Sequence, residues 1–544
     1  MTLKSFSASI AALALSAVAS AAVTSVEAVS PGAYPIMKGA AHNAVAELKL
    51  TTDGAEAPLP KSVSLLVTKA DQVASVSLHY GDAQGTRFGG CIGTGKVGAD
   101  GKVTIKCHAP KDAPTYGMKP DKLKEMHDKF SHDSIWVLVT PSKKAKVGNH
   151  VEIKGDKMKV DGKELAIKTD KKISQTIGYM VAVPGCKVGP RDCKAFRIPG
   201  IIRTEKGTLV GCFDARYNNE ADLCNDIDVA VVRSADGGQT WSEPAVGMDM
   251  GEGAANGCGD PCILQDKKGR LWMQALTCHF GGGASLGVSK AGFDEKQTGQ
   301  WCMVTSENDG KTWSKTPINP TKSIKKEEWT CILAGPGNGI VTKDGTIVFP
   351  AQIWQNGANP RCMSTLCTSA DGGKTWKYGT GIPHATSECQ VVELADGSLM
   401  LNCRNEARSG KRIIYTTTDL GQTWTPHETN NSALQEPTCQ ASLVTIDVPG
   451  KGRCLFFSNP KSGNGRCHMT VRVSTDDGKT WNEGYEYDAR HCLGYSCIAL
   501  ADEKTLGIIY ETPHVNPETG AHGIGFIRVP IKKAFHEKKD DKED

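Results

Sequence analysis

Two short patterns in the sequence have the spacing of known catalytic or cofactor-binding motifs. Residues 283–287 (GASLG) match the nucleophile motif of serine hydrolases, and residues 93–98 (GTGKVG) match a dinucleotide-binding loop. Neither is followed by the helix that its chemistry requires. The sequence has twenty cysteines, and which of them form disulfide bonds cannot be read from the sequence. No Cys-x-x-Cys and no His-Glu-x-x-His occurs, so neither common metal-binding motif is present. We therefore expect no serine nucleophile, no cofactor and no metal.

Charge and the N-terminal segment limit the partners and location of the chain. The 544 residues include 64 Lys and Arg and 60 Asp and Glu, a net charge of +4, which does not favour a nucleic-acid partner. Residues 1–22 have the form of a signal peptide, with Lys4 before an apolar stretch and a small-residue cleavage sequence at 19–21. No cysteine precedes Cys91, so a lipoprotein is not expected. We expect an exported chain, periplasmic or secreted, with no membrane span.

A repeated octapeptide predicts the fold of residues 183–532. Five segments have the form Ser/Thr-x-Asp/Asn-x-Gly-x-Thr-Trp, an Asp-box, and their tryptophans are 48 to 72 residues apart. In each box the Asp or Asn turns the chain, the Gly allows a positive φ and the Trp packs under an adjacent strand. The boxes begin at Ser234, Ser306, Ser369, Thr417 and Ser474. A hairpin turn that recurs at this interval predicts a six-bladed β-propeller.

The segments on either side of the repeat have a different character. Residues 23–182 contain short alternating strands separated by Gly, Pro, Asp and Lys, which favours a smaller β-sandwich domain. Residues 533–544 form a charged tail. The predicted chain is therefore all-β, a β-sandwich followed by a propeller. The boxes should lie on the blade rims, so catalytic groups must come from the segments between them.

The sequence between the boxes resembles one enzyme family. Residues 196–199 (FRIP) resemble the FRIP or YRIP motif of exo-α-sialidases, and the likeness continues through the repeat in the family's motif order. The chain is identified from these motifs as a member of the bacterial sialidases of glycoside hydrolase family thirty-three. The resemblance implies an exo-α-sialidase that removes terminal sialic acid with retention of configuration. It also implies sialylated partners, namely mucin-type glycoproteins, gangliosides and sialyl-oligosaccharides.

The resemblance assigns three arginines from different blades to the sialic-acid carboxylate. Guanidinium groups suit this task because they stay charged and donate hydrogen bonds in a fork. Arg197 in the FRIP motif, Arg404 in residues 401–405 (LNCRN) and Arg466 in residues 465–470 (GRCHMT) match them. Arg472 also fits the third position, because it lies six residues later on the same expected strand and would share a face with Arg466.

Two further residues match groups that support substrate binding in the family. Arg216, in residues 214–223 (DARYNNEADL), matches an arginine aimed at the ring substituents, the 4-hydroxyl in particular. Glu511 matches the acid that holds the first arginine in place. Asp260, in residues 259–261 (GDP), could face the channel but receives no role.

The resemblance assigns catalysis to three residues. A carboxylate nucleophile would be repelled by the substrate carboxylate, whereas a neutral phenol avoids this repulsion if a base takes its proton. Tyr495 matches the nucleophile, Glu388 the base that deprotonates it, and Asp222 the acid/base on a loop that enters the channel. The nearby carboxylates that compete with Asp222 are Glu220, Asp226 and Asp228.

Two other activities stay open at this point. A trans-sialidase or an intramolecular trans-sialidase would share these residues and differ in how water reaches the sialyl-enzyme. A sialic-acid-binding propeller without turnover would be favoured by the loss of Tyr495, Glu388 or Asp222, but all three are present.

Overall fold

The computed structural model describes residues 22–40, 42–53, 57–82, 88–110, 133–169, 171–283, 285–514 and 522–535. The signal peptide predicted over residues 1–22 and the tail predicted over residues 533–544 lie almost entirely outside these ranges and stay predictions. In the described ranges, no helix has the length and apolar character needed to cross a membrane.

Nearly all regular structure in the described residues is β-strand, as predicted. The exceptions are two short α-helices, Thr321–Ile324 and Ile531–Ala534, and two 3-10 turns, Ala70–Gln72 and Leu286–Val288. Some strands of the N-terminal region alternate between buried and exposed residues, because successive side chains point to opposite faces. In Lys102–Lys106, for example, Val103 and Ile105 are buried while their neighbours are exposed. Leu271–Cys278 of the propeller, in contrast, is buried at every position.

The N-terminal region contributes eleven strands to one large sheet system. They are β1 (Val23–Val29), β2 (Ile36–Lys38), β3 (Ala44–Thr52), β4 (Ser62–Val67), β5 (Val73–Gly81), β6 (Phe88–Lys96), β7 (Lys102–Lys106), β8 (Ser134–Pro141), β9 (His150–Val160), β10 (Lys163–Lys168) and β11 (Ile173–Ala182). A small hairpin of β12 (Lys187–Val188) and β13 (Arg191–Asp192) follows.

Five separate sheets of four or five strands come next and form the blades of a β-propeller. The first contains β14 (Ala195–Arg203), β15 (Leu209–Arg216), β16 (Ile227–Ser234) and β17 (Ala245–Met248). The second and third contain β18 (Gly257–Gln265), β19 (Leu271–Cys278), β20 (Gln300–Ser306), β21 (Cys331–Ala334), β22 (Gly337–Asn338), β23 (Ile340–Val341), β24 (Ile347–Trp354), β25 (Cys362–Ser369) and β26 (Lys377–Tyr378). The fourth and fifth contain β27 (Thr386–Glu393), β28 (Leu399–Asn405), β29 (Ile413–Thr417), β30 (Thr425–Pro426), β31 (Ser442–Val448), β32 (Gly452–Pro460), β33 (Met469–Ser474) and β34 (Tyr485–Asp488).

Each Asp-box begins at the last residue of a strand in one of these five sheets, namely β16, β20, β25, β29 and β33. The first box shows the predicted contacts. Asp236 Oδ1 accepts hydrogen bonds from Ser234 Oγ at 2.8 Å and from the backbone N–H of Thr240 at 3.0 Å. The Trp241 ring packs edge-on against Phe526, with 5.0 Å between the ring centroids. The boxes therefore stabilise turns and pack neighbouring sheets together.

The predicted β-propeller is confirmed, but the described residues form five separate blades where the sequence predicted six. The last three strands, β35 (Ser496–Asp502), β36 (Thr505–His514) and β37 (His522–Pro530), are part of the large N-terminal sheet system. In this system β37 pairs antiparallel with β11, and Phe526 lies opposite Tyr179. The strand that pairs with β37 thus comes from a distant part of the chain. No hairpin with an Asp-box is needed to supply it. This explains why five boxes accompany five separate sheets.

All twenty cysteines are free thiols in the structure, and most of them are buried. Several belong to the apolar core between strands, for example Cys262 and Cys367 in the cluster around Trp272. These cysteines act as small apolar residues.

Candidate active site

The residues predicted to form the site come together at one end of the propeller. Arg197 lies near the start of β14, Glu388 near the start of β27, and Tyr495 directly before β35. Arg404 lies near the end of β28, which runs antiparallel to β27 and therefore brings it to the same end of the sheet. Residues that are far apart in sequence thus meet where the first strands of the sheets begin.

Unusual backbone conformations mark these strand starts. Ile198, Asp260 and Thr438 have φ of 59°, 56° and 56°, in the left-handed region that residues other than glycine rarely adopt. The register of β14 also shifts between Arg197 and Gly200, and a bulge of this kind re-aims a side chain. Each such conformation costs about 1–3 kcal/mol and persists only where surrounding contacts fix it.

Buried carboxylates supply such contacts. Glu511 Oε1 accepts a hydrogen bond from the backbone N–H of Ile198 at 3.0 Å and one from Arg197 Nε at 2.6 Å. Glu511 Oε2 accepts the backbone N–H of Tyr495 at 3.1 Å. Burial raises the pKa of Glu511, but Arg197 and the backbone hydrogen bonds outweigh this effect and hold the pKa below its usual value. The ionised Glu511 therefore fixes Arg197 and the backbone of Tyr495 relative to each other.

Tyr495, Glu388 and Arg404 form one hydrogen-bonded group. The Tyr495 hydroxyl donates a short hydrogen bond to Glu388 Oε1. Arg404 Nη1 donates to Glu388 Oε2 at 2.9 Å and to the Tyr495 hydroxyl oxygen at 3.2 Å. Burial and the negative charge of Glu388 raise the pKa of Tyr495 well above its usual value, so the free phenol is neutral. A neutral phenol hydrogen-bonded to a carboxyl group that can take its proton is suited to attack that is coupled to proton transfer.

Arg197 and Arg466 lie beside the Tyr495 ring and complete an arginine cluster with Arg404. Their guanidinium carbons are 5.4 Å and 5.6 Å from the ring centroid. Arg466 donates to the carbonyl oxygens of Leu493 at 2.8 Å and Thr438 at 3.3 Å. These acceptors are neutral, so they orient the guanidinium group without cancelling its charge. The cluster is therefore suited to bind an anionic group.

The structure distinguishes Arg466 from Arg472, the other candidate for the third arginine. The expectation that both lie on one strand is wrong, because Arg466 precedes β33 and only Arg472 lies within it. Arg472 is buried, donates to Asn459 Oδ1 at 2.9 Å and packs over the Phe457 ring. Arg466, in contrast, faces Tyr495. The loop before β33 thus brings the arginine into the cluster.

Asp222 lies on the loop between β15 and β16, and its side chain is 75% exposed. Its Oδ1 is 2.6 Å from Arg216 Nη2 and 4.0 Å from Arg197 Nη1. Partial desolvation raises the pKa of Asp222, but the positive charges of Arg216 and Arg197 outweigh it and hold the pKa below its usual value. Asp222 is thus the exposed carboxylate at the edge of the arginine cluster.

The carboxylates that compete with Asp222 in sequence have other partners. Asp226 forms a close ion pair with Arg191, and Asp228 accepts the Tyr217 hydroxyl at 2.6 Å. Glu220 Oε1 accepts the backbone N–H of His522 at 3.4 Å, and the Glu220 backbone carbonyl accepts Arg216 Nη1 at 2.5 Å. These contacts shape the loop that carries Asp222.

Two further carboxylates at the site, Asp214 and Asp260, were not assigned a role from sequence. Asp214 Oδ2 accepts Arg216 Nη2 at 2.8 Å, and Asp214 Oδ1 accepts the backbone N–H of Asp260 at 2.9 Å. Burial raises the pKa of Asp214 to about 6, and burial together with the charge of Asp214 raises that of Asp260 well above its usual value. The i, i+2 spacing of Asp214 and Arg216 on β15 is the sequence signal that could have linked them.

Neither the dinucleotide-binding pattern at residues 93–98 nor the serine-hydrolase pattern at residues 283–287 forms the site that it resembles. Gly93 and Gly95 lie within β6, and Ser285 is followed by the single 3-10 turn Leu286–Val288. Across the residues that the structure describes, no three His, Cys, Asp or Glu side chains are grouped as metal ligands would be.

A propeller with Asp-boxes and an arginine cluster around a Tyr–Glu pair has the form of a glycoside hydrolase for an anionic sugar. Residues 220–508 match the family described as BNR repeat-like domain. The sialidase of Bacteroides fragilis is 40% identical over 366 residues, which cover 65% of this chain and 66%, about two thirds, of that relative. The sialidase of Paraclostridium sordellii is 33% identical over 342 residues, 59% of this chain and 82% of the relative.

A solved structure extends the likeness beyond the propeller. The Hadza microbial sialidase Hz136 superimposes with a TM-score of 0.79 at 29% identity, covering 93% of this chain and 99% of its own. The chain therefore belongs to the sialidase family, and the predicted family and enzyme class, a glycoside hydrolase, are confirmed. These relatives do not favour the trans-sialidase alternative.

Proposed function

We propose that the chain is a retaining exo-α-sialidase that hydrolyses terminal sialic acids through a covalent bond to Tyr495. The observation that carries this proposal is the hydrogen-bonded group of Tyr495, Glu388 and Arg404, with Arg197 and Arg466 beside the Tyr495 ring. A buried phenol hydrogen-bonded to a carboxylate is suited to attack the anomeric carbon of sialic acid. The adjacent guanidinium groups are suited to bind the carboxylate that this carbon carries.

Substrate binding uses the positive charge of the cluster. We assign Arg197, Arg404 and Arg466 to the carboxylate and Arg216 to the ring substituents, with Asp214 holding Arg216 in place. In the free site the arginines keep the pKa of Asp222 low. A bound carboxylate offsets part of their charge, so binding raises the pKa of Asp222 and favours its protonated form. The substrate thus helps to prepare the acid that its own cleavage requires.

Cleavage and hydrolysis then follow in two steps. Asp222 donates its proton to the glycosidic oxygen, the bond from that oxygen to the anomeric carbon breaks, and Tyr495 Oη bonds to the carbon while its proton passes to Glu388. In the second step Asp222 takes a proton from water, the hydroxyl bonds to the anomeric carbon, and Tyr495 leaves with the proton held by Glu388. Two displacements at one carbon give net retention.

We also propose that β35, β36, β37 and β11 act as a sixth blade. These strands lie side by side in this order. The strand β35 also contacts β14 and β31, the first strands of two other sheets. Gln440 Nε2 donates to the carbonyl of Ser496 in β35 at 3.1 Å, and Cys497 Sγ lies 3.7 Å from the carbonyl of Ile201 in β14. For residues 23–182 a β-sandwich is supported by a shared core in which Leu48, Val76 and Ile153 from different strands pack together.

The substrates and location that we propose are those predicted from the sequence. Mucin-type glycoproteins, gangliosides and sialyl-oligosaccharides all present a terminal sialic acid. The signal-like residues 1–22 support export to the periplasm or the medium.

The test is to incubate the enzyme with sialyllactose isomers and follow the first product by NMR. We expect release of the α-anomer of N-acetylneuraminic acid, which then mutarotates. First release of the β-anomer would contradict retention through Tyr495. An anhydro product would indicate an intramolecular trans-sialidase, and binding without any turnover would indicate the non-catalytic propeller.

A further inference from the structure

A second fully buried glutamate, Glu436, makes the same kind of contacts as Glu511. Its Oε1 accepts the backbone N–H of Asn405 at 2.7 Å, and its Oε2 accepts the backbone N–H of Cys439 at 3.0 Å. Asn405 directly follows Arg404, and Cys439 directly follows Thr438, whose carbonyl accepts Arg466 Nη2 at 3.3 Å. One carboxylate therefore ties the strand that carries Arg404 to the segment that orients Arg466.

Arg412 binds this carboxylate and contacts the same two segments. Its Nη1 donates to Glu436 Oε2 at 3.0 Å and to the carbonyl of Cys439 at 2.6 Å. Its Nε donates to Asn402 Oδ1 at 2.7 Å, and Asn402 lies on β28 two residues before Arg404. The side chains of Arg412 and Glu436 are 0% and 1% exposed.

The backbone at this point needs such support. Thr438 is a β-branched residue with φ of 56°, and both the N–H and the carbonyl of the next residue are bonded to the Glu436–Arg412 pair. The left-handed residues Ile198 and Asp260 are likewise contacted by a buried carboxylate that also binds an arginine. In those two cases the arginine, Arg197 or Arg216, is itself one of the predicted substrate-binding residues.

Stability alone gives little reason for a fully buried ion pair, because well-packed apolar side chains of similar volume often serve as well or better. The best-attested use of buried ionic groups is to select one arrangement of the chain around them. Here the selected arrangement is the spacing of the segments that bear Arg404 and orient Arg466.

We propose that Glu436 and Arg412 are positioning residues that set the spacing of the Arg404 and Arg466 guanidinium groups for a planar carboxylate. This inference rests on the proposed function, since it assumes that these arginines bind the sialic-acid carboxylate. Both residues act through Arg404 and Arg466 and need no contact with the substrate.

The experiment compares Glu436→Gln and Arg412→Lys with the wild-type enzyme in the full chain. Glu436→Gln replaces one acceptor oxygen with an NH₂ group that faces N–H donors, while Arg412→Lys keeps the charge but loses the fork. The control is Asp266→Asn, because Asp266 is a buried carboxylate that accepts the backbone N–H groups of Lys268 and Arg270 at the other end of β18. Each variant is assayed for kcat and KM, for the thermal midpoint, and for inhibition by a 2,3-unsaturated sialic acid and by its methyl ester.

We expect Glu436→Gln to lower kcat/KM at least tenfold, and to weaken inhibition by the acid at least fivefold more than inhibition by the ester. Arg412→Lys should show a smaller effect in the same direction, which keeps the inference testable if the first variant does not fold. Asp266→Asn should lower the thermal midpoint but leave the acid-to-ester ratio within twofold of wild type. A wild-type ratio in both positioning variants, with kcat/KM within twofold, would overturn the inference. A wild-type enzyme that neither cleaves sialosides nor binds the acid would instead overturn the proposed function, on which the inference rests.

Discussion

Replacement of Glu511 by Gln should uncouple Arg197 from the Tyr495 backbone without changing the size of the side chain. Glu511 is fully buried and accepts three hydrogen bonds, two of them on Oε1. A Gln oxygen could keep the pair on Oε1, but its NH₂ group would then face the N–H of Tyr495, and Arg197 would lose its full counter-charge. Removing one partner of a buried ion pair costs about 3–5 kcal/mol.

The expected loss lies near the lower end of this range, because Asp222 Oδ1 is 4.0 Å from Arg197 Nη1 and offers partial compensation. If about 2 kcal/mol of this free-energy loss is a loss of transition-state stabilisation, kcat/KM falls about 30-fold. The effect on stability depends on pH. The pKa of Glu511 is held below its usual 4.5, so its contribution is fully present above pH 4.5 and is lost as the pH falls through the lowered value.

The assay measures kcat/KM on a sialoside, and the free energy of unfolding at pH 7 and at pH 3.5, for the wild type and Glu511→Gln. The matched control is Glu503→Gln, because Glu503 pairs with Arg203 at 2.8 Å but is 80% exposed, where ion pairs contribute little. We expect the control to stay within twofold of wild type and the stability difference of Glu511→Gln to shrink at pH 3.5. Equal behaviour of the two variants, or a stability difference that grows at low pH, would refute the reasoning.

Three further perturbations separate the roles proposed for the site and the sheets. Asp222→Ala should slow cleavage of sialyllactose strongly and largely spare an aryl sialoside, whose leaving group needs little protonation; equal losses on both substrates would remove Asp222 as the acid. Arg404→Lys should lower kcat/KM at least tenfold, because an ammonium group cannot make the bidentate contact; near-wild-type kinetics would remove Arg404 from the clamp. Deletion of residues 1–182 removes β11 and leaves β37 without its neighbour, so we expect an insoluble or inactive product. Deletion of residues 1–21 alone should keep activity. An active propeller without β11 would contradict the proposal that β11 completes the sixth blade.

The Asp-boxes made much of the fold predictable, because each box is a local device. The contacts of Asp236 with Ser234 and Thr240 lie within one octapeptide, so the sequence alone indicates the turn and the strand that it ends. The pairing of β37 with β11 has no such signature, since Phe526 and Tyr179 are brought together by tertiary packing. This is why the sequence did not indicate that the last strands pair with the N-terminal region.

The site was predictable where motifs carry it and not where long-range contacts do. The family motifs pointed to Arg197, Glu388 and Tyr495, which the structure brings together. Arg466 could not be separated from Arg472 by spacing, because the loop before β33 breaks the alternation on which that argument depends. Glu436 was missed because its partners, the backbone N–H groups of Asn405 and Cys439, become its neighbours only in the folded chain.

The central claim is that Tyr495 Oη forms the covalent bond to the substrate. The most direct measurement is to react the enzyme with a 3-fluorinated sialosyl fluoride, in which the fluorine next to the anomeric carbon slows hydrolysis of the adduct, and to locate the label by peptide mass spectrometry. We expect a single sialyl group on the peptide that contains Tyr495, and none in Tyr495→Phe, which keeps the ring packing but lacks the attacking oxygen. A label on Glu388, Asp222 or any other residue, or full turnover without a trapped adduct, would contradict the account.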